Sequence, residues 1–145
     1  MPDVDTERVA SVFEQVIPFR FLTQQEKREL AAHVTCREYD SGELIVAQGD
    51  ADDDSVYVLS RGSVETIDEH DDTVQRAGII EAGHYFGERE PLFREPRRYA
   101  VRALEPVTCY VVPGEHFLAL ISKSRAFAQA LGTLLRDKQG IFEAF

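Results

Sequence analysis

The sequence predicts a mainly β domain with flanking helices, an eight-stranded β-roll of the jelly-roll type with helical segments at both ends. Two observations carry that prediction. Between residues 34 and 113, short runs rich in β-branched and aromatic residues are punctuated by Gly, Asp and Ser at the spacing of about 8 to 12 residues typical of a sandwich or barrel. On either side of that stretch the apolar residues recur at helical period instead. With 145 residues, 43% of them apolar, the chain is large enough to bury a core without disulfide or metal staples. Residues 1–145 therefore read as one domain, with N-terminal helices in 1–33, the roll in 34–113 and C-terminal helices in 114–145.

From Thr6 to Ile17, the residues Val9, Val12, Phe13 and Val16 form an apolar stripe that predicts an amphipathic helix ending before Pro18. A second helix is expected from Thr23 to about His33, because Thr23 and Glu26 make a capping box and Leu30 and Ala31 face inward. Strands follow at Val34–Tyr39, Glu43–Ala47, Ser55–Ser60, Ser63–His70, Val74–Ile80, Tyr85–Phe86, Tyr99–Ala103 and Val107–Val112, with turns marked by Gly42, Gly49, Gly62 and Gly83. After Pro113-Gly114, Phe117, Leu118, Leu120 and Ile121 predict a short helix. Phe127, Leu131, Leu134 and Leu135 predict a longer one running to the C-terminus. Cys36 and Cys109 sit in apolar runs without a C-x-x-C spacing and are expected to be buried thiols.

The formal net charge of −10 argues against a sequence-independent grip on nucleic acid or on an anionic membrane. No apolar run approaches the roughly 20 residues that span a bilayer, and Met1-Pro2-Asp3-Val4-Asp5 lacks the basic and apolar regions of a signal peptide, so a soluble cytoplasmic protein is expected. The acids Asp50, Asp52, Asp53 and Asp54 start like a calcium loop. Ser55 then stands where the turn needs glycine and Arg61 where a bidentate glutamate should be, so a solvated hairpin loop is expected and no metal. The histidines His33, His70, His84 and His116 share no metal-ligand spacing, and no nucleophile is paired with a base, so neither an enzyme nor a catalytic cofactor is expected.

One stretch does carry chemistry. Five arginines, Arg89, Arg94, Arg97, Arg98 and Arg102, fall within 89–102 and make that window positive in an acidic chain. Just before them stands Phe86-Gly87-Glu88. A turn at Gly87 frees backbone amides to face an anion, Glu88 offers acceptors to sugar hydroxyls, and Arg97 or Arg98 presents a fork that fits phosphate oxygens. The segment reads as a pocket for a phosphate-bearing ligand.

Phe86-Gly87-Glu88, Pro96-Arg97 and Val101-Arg102-Ala103 stand at the separations of a motif written approximately F-G-E-L-A-L, four variable residues, then P-R-A-A-T-V-x-A. In this and in its turn glycines, the chain from about Leu22 to Leu135 resembles the cyclic nucleotide-binding domain family. The wording is also reminiscent of bacterial members that precede CBS and nucleotidyltransferase modules. The resemblance implies a phosphate-binding cassette at 86–98 and a cyclic mononucleotide as ligand, cAMP favoured over cGMP. It implies that Glu88 accepts the ribose 2′-hydroxyl, that Gly87 and neighbouring amides meet the cyclic phosphate, and that Arg97, or Arg98, pairs with it. Arg89 and Glu90 replace an apolar and a small residue of the motif, and Arg98 and Tyr99 replace small residues lining the pocket. The expected binding set is accordingly Phe86, Gly87, Glu88, Arg89, Glu90, Arg97, Arg98 and Tyr99. By the same resemblance the helix from about Arg125 is a lid that reports occupancy and meets a second copy or a partner domain. Phe142 and Phe145 are placed either on the purine or against the roll or a partner. The alternative reading is a structural or interaction module of the same fold with a degenerate, non-binding pocket.

Overall fold

A computed structural model of the chain describes residues 5–70 and 73–143, with side chains described except at 70 and 137–143. The elements are helix α1 (Thr6–Phe13), a 3₁₀ turn (Phe19–Phe21), helix α2 (Gln24–Ala31), strands β1 (Thr35–Tyr39), β2 (Leu44–Val46), β3 (Val56–Arg61), β4 (Ser63–His70), β5 (Thr73–Glu81) and β6 (His84–Phe86), helix α3 (Arg89–Phe93), strands β7 (Ala100–Ala103) and β8 (Val107–Val112), and helices α4 (Gly114–Lys123) and α5 (Arg125–Glu143). The eight strands pair antiparallel in two four-stranded sheets, ordered β1-β8-β3-β6 and β2-β7-β4-β5. This is the predicted jelly roll with helices at both ends.

The inner strands of the first sheet, β3 and β8, are buried on both faces, which explains why they read as nearly continuous apolar runs. Strand alternation sends Tyr57, Leu59, Phe86, Cys109 and Val111 into the interior of the roll, where they meet Val46, Val64, Val101 and Ala103 of the second sheet. The residues between them, Val56, Val58, Tyr85, Tyr110 and Val112, face the helices and join Phe13, Phe19, Phe117 and Phe127 in a second core. In that layer Phe19 is the hub, with ring centroids 5.2 Å from Phe13, 5.5 Å from Phe127 and 6.1 Å from Tyr85.

Helix α1 is shorter than its apolar stripe predicts. It ends at Phe13 because the chain tightens into three-residue turns, Gln15 N donating to Val12 O and Val16 N to Phe13 O, before Pro18, which has no amide to continue the ladder. Val16 is buried all the same. The Thr23–Glu26 capping box is present, Glu26 N donating to Thr23 Oγ1 at 3.1 Å and Thr23 N to Glu26 Oε1 at 2.8 Å. The expectation for Cys36 is overturned. It is exposed, because β1 is the outer strand of its sheet, whereas Cys109 on the inner strand β8 is buried and burial pushes its thiol up to about 12. Among the described residues no helix is long and apolar enough to cross a membrane.

Candidate functional site

Strand β6 delivers the site. Phe86 faces inward and its ring stacks parallel on Tyr57 at 5.0 Å, which fixes where the chain leaves the sheet. Gly87 then turns with φ +90°, a conformation that disfavours any side chain, and a Cβ there would lie 2.7 Å from Arg97 Nη1 and 3.0 Å from Ser55 O. Glu88 follows as the buried N-terminal cap of α3, and α3 closes after five residues with Arg94 in the left-handed region at φ 55°. The fold thus brings Gly87, Glu88 and Glu90 to one side of a cleft.

Arg97 arrives from the segment between α3 and β7. Its backbone is clamped to the Gln48-Gly49-Asp50 turn, Gly49 N donating to Arg97 O at 2.7 Å and Arg97 N to Asp50 O at 2.9 Å. Its side chain is buried, only 2% exposed. Nη1 donates to Gly87 O at 3.0 Å and to Glu90 Oε1. Nη2 donates to Ser55 O at 2.7 Å and lies 3.0 Å from Asp53 Oδ2, and the guanidinium stands 5.7 Å from the centre of the Tyr57 ring. Of its five donors, four are used within the protein and Nε–H has no partner among the described residues.

Asp53 is the residue that sequence reasoning missed. The structure takes it out of the solvated loop expected for Asp50–Asp54 and half-buries it beneath Arg97. Burial alone would raise its carboxyl. Hydrogen bonds from the Tyr57 hydroxyl at 2.7 Å and the Ser55 amide at 3.0 Å, with Arg97 beside it, outweigh that and hold it below the usual carboxylate range. Glu90 goes the other way. Burial raises it more than Arg97 lowers it, and neighbouring Glu88 adds to the rise. Arg97 itself is raised: burial would lower it, but Asp53 and Glu90 prevail.

The cleft in front of these groups has a volume of about 1370 Å³. Phe86, Gly87, Glu88, Arg89, Glu90, Arg97, Arg98 and Tyr99 all line it, so the fold gathers the whole predicted set. They are not equivalent. Arg97 is buried, whereas Arg98 is exposed and lies over the Tyr99 ring at 5.4 Å, and Arg89 lies over Phe93 at 5.0 Å and 3.5 Å from Glu95. Opposite stand Ile79 and Ile80 of β5, and Leu134 and Leu135 of α5 complete the wall. The side chain of Phe142 and all of Phe145 lie outside the described residues. A carboxylate-lined, arginine-bottomed cleft of this kind suits a ligand with hydroxyl donors at one end and an anion at the other.

The family model described as cyclic nucleotide-binding domain matches residues 36–124, which span the roll, the glycine turn and Arg97. The chain belongs to the cyclic nucleotide-binding domain family. A cGMP-dependent protein kinase of Plasmodium berghei (strain Anka) is 33% identical over 99 residues, 68% of this chain and 11% of the kinase. A cAMP-dependent protein kinase type II regulatory subunit of Drosophila melanogaster is 34% identical over 82 residues, 57% of this chain and 22% of the relative. The chain therefore spans a quarter or less of the length of these two relatives. Among solved structures, the regulatory domain of Toxoplasma gondii protein kinase A with cAMP superposes with a TM-score of 0.76 at 16% identity, covering 90% of this chain and 49% of that one. The regulatory subunit of a cAMP-independent protein kinase A from Trypanosoma brucei, a triple mutant bound to cAMP in its A site, gives 0.77 at 21% identity, covering 92% of this chain and 47% of that one. These likenesses show the fold.

Proposed function

We propose that this member of the cyclic nucleotide-binding domain family is a sensing, non-catalytic part of a regulatory protein, and that it takes a cyclic mononucleotide, cAMP ahead of cGMP, in the cleft between α3, β5 and α5. The single observation behind this reading is the convergence of buried Glu88 and buried Arg97 around the Gly87 turn at one end of the cleft. In this reading Glu88 accepts the ribose hydroxyl, the amides after Gly87 and the Arg97 guanidinium meet the phosphate, and the unmatched Nε–H of Arg97 gains an acceptor. The relatives named for cAMP and cGMP point to the same ligand class. Leu134 and Leu135 share the cleft with those groups, so a ligand filling it presses on α5 and passes its presence to whatever α5 touches, a second copy or a partner domain.

A calorimetric titration with cAMP and cGMP tests the reading. Saturable heat is expected, lost in Arg97→Ala combined with Arg98→Ala and kept in Arg94→Ala. A folded, nucleotide-free sample that gives no heat at millimolar ligand overturns it.

A second reading, an interaction module with the same fold and no ligand, is favoured by one observation. Arg97 is already paired with Glu90 and Asp53. The regulatory subunit of a kinase described as cAMP-independent carries the same fold, so fold and response to cAMP are separable. The same titration decides between the two.

A further inference from the structure

Glu90 sits where a phosphate-binding pocket has least use for an acid. Its residue is 9% exposed, its carboxylate is hydrogen-bonded to Nη1 of Arg97, and it lines the cleft two positions after Glu88. Asp53 already neutralises the other edge of the same guanidinium at 3.0 Å. Around the cleft floor, buried Glu88 and Glu90 and half-buried Asp53 behind Arg97 thus set three carboxylates against its guanidinium, with half-exposed Arg89 drawn off toward Glu95 and Phe93. An entering phosphate adds a further negative charge and needs a guanidinium edge that Glu90 occupies.

We propose that Glu90 is an internal surrogate for the ligand's phosphate: its carboxylate holds the guanidinium edge of Arg97 in the empty chain, and a cyclic phosphate binds by competing Glu90 off it. The inference rests on the nucleotide reading above and names the residue that sets its affinity. Two consequences follow from the geometry. Removing the carboxylate frees the edge, because Asp53 and the carbonyls of Ser55 and Gly87 still anchor Arg97. A displaced Glu90, left between Glu88 and the phosphate with exposed Arg98 and half-exposed Arg89 the remaining cations of the cleft lining, takes up a proton rather than remain a buried unpaired anion. Binding by the wild-type chain therefore strengthens as pH falls, and binding by a chain without the Glu90 carboxylate does not.

The experiment is a calorimetric titration of cAMP into the wild-type chain, Glu90→Gln and Glu90→Ala, at about pH 7 and about pH 5.5, with thermal melts showing that each variant folds. Glu90→Gln keeps the shape and an acceptor for Arg97, so it guards against loss of fold in Glu90→Ala. Both variants are expected to bind about tenfold tighter than wild type or more at pH 7, with the gap narrowing at the lower pH. Binding that is measurable but equal or weaker in both folded variants overturns the surrogate role and leaves the nucleotide reading standing, and so does a gap that stays constant between the two pH values. Absence of cAMP binding in all three folded chains overturns the nucleotide reading and the surrogate role together.

Discussion

Gly87 meets two constraints at once. Its φ of +90° is strained for any L side chain, and the place a Cβ would take is 2.7 Å from Arg97 Nη1 and 3.0 Å from Ser55 O. Gly87→Ala is expected to cost about 1–3 kcal/mol, read from denaturant unfolding, and to weaken cAMP binding by pushing Arg97 off its carbonyl anchors. Asp53 answers to pH instead. Its carboxyl is depressed in the folded chain, so the stability it contributes is complete above the unfolded value near about 4 and disappears as pH falls through the lower folded value. Asp53→Asn is therefore expected to be less stable at neutral pH and to lose less stability than wild type on acidification below about pH 4, measured by thermal melts across pH. The residues themselves are visible in the chain, but the linkage is not. Ser55 and Arg97 are 42 positions apart, and an aspartate in a run of aspartates carries no local mark of the arginine it will meet.

At the scale of elements, local signals served well where one physical rule governs. Thr23 and Glu26 announce the start of α2, and the strand windows at 63–70 and 107–112 coincide with β4 and β8. They failed where tertiary packing overrides period. The α1 stripe continues through Val16, yet the helix stops at Phe13 so that the chain can turn and drive Phe19 into the aromatic layer. Helix α5 depends on that layer. Phe127 is fully buried, stacked edge-on against Phe19 at 5.5 Å and Phe117 at 5.8 Å. Phe127→Ala is expected to cost about 3–5 kcal/mol of stability, measured by chemical denaturation, because the cavity it leaves lies between rigid rings. The same change is expected to loosen the helix whose Leu134 and Leu135 wall the cleft, so it tests whether α5 and the core are one unit.

The whole molecule is two cores sharing one sheet. The sheet β1-β8-β3-β6 presents one face to the roll and the other to the helices, and the site lies where β6 leaves that sheet beside β5 and α5. Under the proposed reading, this arrangement is how a chain of net charge −10 offers an anion a place. The charge that matters is a single buried guanidinium with four of its donors committed inside the protein, not the surface average. It also explains why edge and centre differ. Cys36 on the outer strand, beside Arg37 and Glu38, is exposed, and Cys109 in the apolar run of the inner strand is buried.

The sequence by itself determined the fold class, most strand positions and the segment that lines the cleft, because turn glycines, period-2 apolar runs and a glycine-acid-arginine spacing are local chemistry that any neighbour must accommodate. Only the tertiary structure decided which arginine is buried. Arg97 and Arg98 are adjacent and chemically identical, and strand and loop geometry buries one beneath the cleft and leaves the other exposed along its lining. It also decided that Asp53 and Glu90 share Arg97, since an ion pair forms by proximity in space, which spacing along the chain does not encode.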